Sequence, residues 1–158
     1  MPGRVRRPVR ISRVNVIDLL PHEPPMRLIE EVVELEPGAR ARCRRTTRPG
    51  DFFFDGHFPG HPVVPAVILV EMVAQAGGLA AGAPSAFAGE PLQLRVAALG
   101  PFKFPAAAGP DAVLEIDARV AGSLGGMFKI DGTVTAGGQV VAAGSVTLAH
   151  AVRHDGNR

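Results

Sequence analysis

The chain has 158 residues, 46% hydrophobic and 20% charged, with 19 Gly and 15 Pro. That is the composition of one folded domain with many turns and short connections, and it excludes a disordered or fibrous protein. Net charge is only +2, Trp and Tyr are absent, and Cys43 is the single cysteine. An internal disulfide and a thiolate metal cluster are thereby excluded, and a reducing, cytoplasmic setting is expected.

Arg4, Arg6, Arg7, Arg10 and Arg13 crowd the N-terminus, so residues 1–13 are expected to form a basic flexible arm. No apolar core of a signal peptide follows it. A single domain is expected over residues 14–150, with a flexible tail at 151–158. Asn15 to Leu20 predicts a short helical turn stopped by Pro21, and Pro24-Pro25 forbid regular structure. Glu31 to Glu36 and Ala39 to Thr46 flank the turn dipeptide Pro37-Gly38 and predict a hairpin. Its second strand carries Arg40, Arg42, Arg44 and Arg45, with Arg48 just beyond. These are expected to be a solvated face, the alternative being a docking patch for an acidic partner. The arginines do not interleave with aromatic residues as a nucleic-acid stacking surface would.

Residues 48–64 form a long irregular loop rich in Pro, Gly and Phe, of the kind that often carries function in a compact domain. Pro65 suits the first position of a helix. The apolar segment that follows predicts a buried helix to about Ala81, with Gly77-Gly78 either admitting a close neighbour or beginning its termination. Glu71 and Gln75 interrupt its apolar run, so a buried soluble helix is expected, not a membrane span. Leu92 to Leu99, Ala112 to Val120, Met127 to Ala136 and Val140 to Ala149 predict four strands. Gly122 to Gly126 and Gly137-Gly138 are expected as hairpin loops. One long buried helix followed by an antiparallel sheet implies a sheet wrapped around that helix, an α+β fold.

The chemistry concentrates in two places. Glu71 and Gln75, one helical turn apart, project from one face, so Gln75 can orient the carboxyl. Apolar neighbours such as Val70, Met72 and Val73 are expected to disfavour the charged form and make Glu71 a general acid. His57, between Gly56 and Pro59, has a constrained backbone and suits a general base. His57 and His61 share an H-x3-H spacing, but Pro59 and Pro62 prevent the helix that would bring both rings to one metal, so no metal site is expected. His22, His150 and His154 have no evident partner, and Ser12, Ser85, Ser123 and Ser145 lack the context of a hydrolase nucleophile.

Three stretches together resemble a known family: Leu19-Leu20-Pro21-His22; Phe53-Phe54-Asp55-Gly56-His57-Phe58-Pro59-Gly60-His61-Pro62-Val63-Val64-Pro65; and Glu71-Met72-Val73-Ala74-Gln75-Ala76-Gly77-Gly78. The family is the bacterial 3-hydroxyacyl-acyl carrier protein dehydratases of the FabZ type, and the resemblance runs from about Val14 to Ala149, with Phe102-Lys103-Phe104 in the expected place. It implies the hot-dog fold, a long central helix wrapped by a curved antiparallel sheet. It also implies homodimers with shared active sites, often assembled as a trimer of dimers, an acidic acyl carrier protein as partner, and no cofactor. His57 would take the C2 proton and Glu71 would protonate the departing 3-hydroxyl. Phe54, Gly56, Phe58, Pro65, Ala66 and Gln75 would line the substrate. Glu in place of Asp at the acid position favours a plain dehydratase over a dehydratase-isomerase.

Departures from the family pattern are Ala66 where Gly is usual, Pro24-Pro25-Met26-Arg27 in place of an aromatic-containing segment, and Ala106-Ala107-Ala108 in place of basic or branched residues. They leave open a specialised paralogue, a hot-dog acyl thioesterase and a non-catalytic acyl-binding scaffold.

Overall fold

The structure is a computed structural model that describes residues 16–151. The arm expected at 1–13 and all but Ala151 of the expected tail lie outside the described residues. A 3-10 turn at Ile17–Leu19 comes first. It is followed by β1 (Glu31–Glu36), β2 (Arg40–Thr46), a second 3-10 turn at Phe52–Phe54, α1 (Ala66–Phe87), β3 (Leu94–Lys103), β4 (Val113–Leu124), β5 (Met127–Ala136) and β6 (Gln139–His150). The strands form one six-stranded sheet in the order β1-β2-β4-β5-β6-β3, and every neighbouring pair is antiparallel. The sheet curves around α1, which is the expected hot-dog arrangement.

Alternation in the strands decides which face meets the helix. In β4, Leu114, Ile116 and Ala118 are buried, and their partners Val134 and Gly132 on β5 are buried with them. The helix is apolar on nearly every side, and its buried residues run from Ile68 to Ala83. It is long and apolar enough to cross a bilayer by composition, but 78% of its most apolar window is buried inside the protein, so it is the core helix of this sheet. Glycines set the closeness of that packing. A Cβ on Gly77 would sit 2.7 Å from Ile130 Cγ2, and one on Gly132 would overlap Val73. Gly77 is therefore a contact point within the helix and does not end it.

The helix runs six residues past the expected Ala81, through Pro84. Proline lacks the N–H that would bond the carbonyl one turn back. That carbonyl, on Ala80, instead accepts the Gly38 N–H at 2.8 Å, and Gly38 takes φ +80 in the β1–β2 turn. Pro84 thus leaves an acceptor that ties the first hairpin to the helix. The start also differs by one residue: Pro65 has ψ 142 and caps the helix from outside, so Ala66 is its first residue.

The expected strand at 92–99 is displaced to Leu94–Lys103 and includes Pro101. This is tolerated because β3 is an edge strand, with irregularities between Val96 and Ala98 and between Leu99 and Phe102. The strand expected to end at Val120 continues to Leu124, where Gly125-Gly126 make the turn. Gly137 and Gly138, both at positive φ, make the other expected hairpin.

Candidate active site

The loop before the helix is held by its own backbone. Phe53 and Phe54 are buried, and the Arg45 guanidinium lies over the Phe53 ring at 5.6 Å. Gly56 and Gly60 both take φ +72, a conformation glycine adopts without steric cost. His57 donates its N–H to Phe54 O at 3.1 Å and accepts the Val63 N–H at 2.9 Å, while Phe58 and His61 exchange two backbone hydrogen bonds. The His57–Phe58 and Pro24–Pro25 peptides are cis.

The imidazole is aimed as firmly as its backbone. His57 Nδ1 lies 2.9 Å from Val63 O. A carbonyl can only accept, so Nδ1 carries a proton and donates it, and Nε2 is the ring nitrogen free of this contact. The Phe58 ring stacks on the imidazole with centroids 4.2 Å apart, yet Phe58 is 54% exposed.

Glu71 and Gln75 behave as their spacing predicts. Gln75, 2% exposed, donates from Nε2 to Glu71 Oε1 at 3.1 Å and to Met26 O at 2.7 Å, and its Oε1 accepts the Leu28 N–H at 2.9 Å. It orients the carboxyl and also bolts residues 26–28 to the helix. The purely apolar setting expected for Glu71 is not what the chain supplies. Its side chain is 28% exposed, and Oε1 lies 3.4 Å from His22 Nε2. Histidine 22 has a partner that the sequence does not reveal, because the contact joins residues 49 apart through the fold. The only sequence signal is its place in Leu-Pro-His ahead of the first strand.

Within one chain no hydrogen bond or ion pair joins His57 to Glu71 among the described residues; each is held by other groups. Between them lies the start of α1. No side chain caps it, and the first amides taken up, those of Ile68 and Leu69, both bond Pro65 O. The N–H groups of exposed Ala66 and Val67 are the ones left to meet a ligand. Of the expected lining, Phe54 is buried, Gly56, Phe58 and Ala66 are exposed, Pro65 is half-buried, and Gln75 is buried behind Glu71.

The arginine cluster is a self-neutralised sheet face. Arg40 forms a bidentate pair with Asp117 at 2.9 and 2.6 Å, Arg42 meets Glu34, Arg44 meets Glu31 and Glu115, and Arg45 and Arg48 share Glu30. The Arg40 hydrogen bond, outweighing burial, holds the Asp117 carboxyl below its ordinary value. Burial pushes Glu30 up, but the Arg48 hydrogen bond and the charges of Arg45 and Arg48 together bring it below its ordinary value. The pairing of these cations favours the expected solvated face over a docking patch. No group of three His, Cys, Asp or Glu side chains that could hold a metal occurs among the described residues.

A FabA-like domain matches residues 20–145. The chain belongs to this family, among the dehydratases of the FabZ type. It is 30% identical over 140 residues to a 3-hydroxyacyl-[acyl-carrier-protein] dehydratase FabZ of Syntrophotalea carbinolica, covering 89% of this chain and 95% of that one. It is 33% identical over 146 residues to the enzyme of that name from Ruminiclostridium cellulolyticum, covering 88% and 96%. Among solved structures it resembles the dehydratase heterocomplex ApeI:P from Xenorhabdus doucetiae, with TM-score 0.76, 22% identity, and coverage of 91% and 94%. It also resembles the phenylacetic acid degradation protein PaaI of Thermus thermophilus, with TM-score 0.58, 18% identity, and coverage of 76% and 91%. At these identities the two structures speak for the fold alone.

Proposed function

We propose that the protein is a hydro-lyase that removes water from 3-hydroxyacyl thioesters on an acyl carrier protein, giving trans-2-enoyl thioesters for fatty acid or related acyl-chain synthesis in the cytoplasm. One observation carries this: an aimed imidazole at His57 and a held carboxyl at Glu71 flank an uncapped helix start, in a chain of the FabZ type.

His57 Nε2 takes the C2 proton, and the electrons of that C–H bond form the new double bond. Glu71 gives its proton to the 3-hydroxyl, the C3–O bond breaks, and water leaves. Before the next turnover the imidazolium loses its proton and the carboxylate regains one from solvent. The amides of Ala66 and Val67, at the positive end of α1, stabilise the charge that develops on the thioester oxygen. The thioester itself acidifies C2, so the step calls for no cofactor.

The two groups come from different chains of a homodimer. Support for this is their lack of contact within one chain and the character of β3. That edge strand is ten residues long, with Val96 39% and Leu99 61% exposed. A long apolar edge with unpaired backbone groups suits pairing with a second copy. Further assembly, for example as a trimer of dimers, builds on that unit. Phe54, Gly56, Phe58, Pro65, Ala66 and Gln75 form or back the substrate surface. Among the described residues the cations available to an acidic carrier are Arg95, Lys103 and Lys129, which pair with no carboxylate there.

The test is hydration of trans-2-enoyl thioesters on carrier protein and coenzyme A, followed by loss of enoyl absorbance. His57→Ala and Glu71→Ala are expected to lower kcat by about 10²- to 10⁴-fold each with the fold intact. Retained turnover would refute the assignment. Release of free thiol without an absorbance change would instead select a thioesterase.

A further inference from the structure

Glu71 Oε1 faces two nitrogen atoms. Gln75 Nε2 donates to it at 3.1 Å, and His22 Nε2 lies 3.4 Å away. The second distance is long for a hydrogen bond, within the range over which acid–base contacts tighten once substrate is bound. The other nitrogen of the ring, His22 Nδ1, is buried and has no hydrogen-bond partner. A proton there would be a buried donor without an acceptor, so the tautomer that fits carries its proton on Nε2, pointing at the carboxyl.

The ring is held in place by the segment around it. Arg27 Nε donates to His22 O at 2.9 Å, the Arg27 N–H donates to Glu23 O at 3.0 Å, and Gln75 grips Met26 O and the Leu28 N–H. Residues 22–28 therefore form a strap across the acidic side chain, with His22 at one end and the Gln75 grip at the other.

We infer that His22 is a positioning residue that, with Gln75, fixes which oxygen of Glu71 carries the proton. This rests on the role proposed for Glu71 as the general acid. With two N–H groups directed at Oε1, that oxygen is an acceptor, and the acidic proton is confined to Oε2. Oε2 is then the oxygen turned toward the departing hydroxyl. When the proton leaves, the same two donors stabilise the new carboxylate, so the proton is lost more readily. No bond to His22 forms or breaks.

The experiment compares His22→Gln and His22→Asn in the full-length protein, with trans-2-enoyl thioester hydration as the assay. A Gln amide nitrogen can occupy the place of Nε2, whereas the shorter Asn reaches only the place of Nδ1. Both variants are polar and smaller than histidine, and thermal melts establish that they fold alike. H22N is expected to lose roughly 10- to 100-fold in kcat with KM changed less than about threefold. H22Q is expected to recover most of the loss. Equal activity in the two variants, or a higher KM with kcat unchanged in H22N, overturns the inference. A wild-type protein that does not turn over the thioester, or an active Glu71→Ala variant, would instead remove the dehydratase assignment on which it rests.

Discussion

Replacing Gln75 by Leu tests how far the fold and the site depend on one side chain. The shape is nearly conserved, but three hydrogen bonds disappear: those to Met26 O, to Glu71 Oε1 and from the Leu28 N–H. Leu28 is fully buried, so its amide becomes an unsatisfied donor, at a cost of about 1–3 kcal/mol. Met26 is 44% exposed, and water can reach its carbonyl, so that loss is smaller, about 1 kcal/mol. The net expectation is a destabilisation of about 3 kcal/mol, or roughly 6–12 °C in Tm for a domain of this size. Urea denaturation at one fixed protein concentration measures it.

Gln75→Glu adds a sign that Leu lacks. Its carboxylate would place a second acceptor against Met26 O and Glu71, which it can satisfy only by holding a proton. The folded-state pKa of the new group is thereby raised above its unfolded value. Its stability deficit should be small below about pH 4.3 and grow as pH rises through the folded pKa. A Q75L variant within 0.5 kcal/mol of wild type (roughly the scatter of surface substitutions), or a Q75E deficit independent of pH, would refute the account of Gln75.

Three further outcomes follow from the packing and the charges. Burial pushes the Cys43 thiol up to about 12, so an aromatic disulfide reagent at pH 8 should leave the native protein unlabelled and titrate one thiol after denaturation; rapid native labelling would contradict this. Asp117, held below its ordinary 3.8 by Arg40, contributes stability that is present above pH 3.8 and lost as pH falls through the lower folded value. Asp117→Asn should therefore cost about 1 kcal/mol at pH 7 and little near pH 2, as read from urea midpoints across that range. Gly77→Ala gains about 1 kcal/mol in helix propensity but drives a methyl to 2.7 Å from Ile130 Cγ2, an overpacking worth about 1–3 kcal/mol. Net destabilisation is expected, with a smaller cost for the same change made in an Ile130→Ala background, and a more stable G77A single variant would show that the helix can lift off the sheet.

How much of the molecule was legible in the sequence depends on the range of the interaction that decides each part. Gly137-Gly138, the Pro37-Gly38 turn, the Pro65 helix start and the Glu71–Gln75 pair are all settled within about four residues, and each lies where local rules put it to within a residue. The errors fall where a distant group decides. Pro84 looks like the end of a helix only while its orphaned acceptor has no taker; the Gly38 N–H, 42 positions away, supplies one. Pro101 argues against a strand only if both sides of that strand must be paired, and β3 lies at an edge. The arginines of β2 read as a solvated face, but their partners stay hidden until the sheet brings Asp117 and Glu115 from β4 alongside them. His22 is the same case at the site. Its residue type and its place before a strand carry no chemistry by themselves, and only the fold sets its Nε2 beside the carboxyl of Glu71. A local pattern thus pairs a carboxyl with its nearest helper. The second nitrogen at that carboxyl comes from 49 residues away, and only the three-dimensional structure brings it into place.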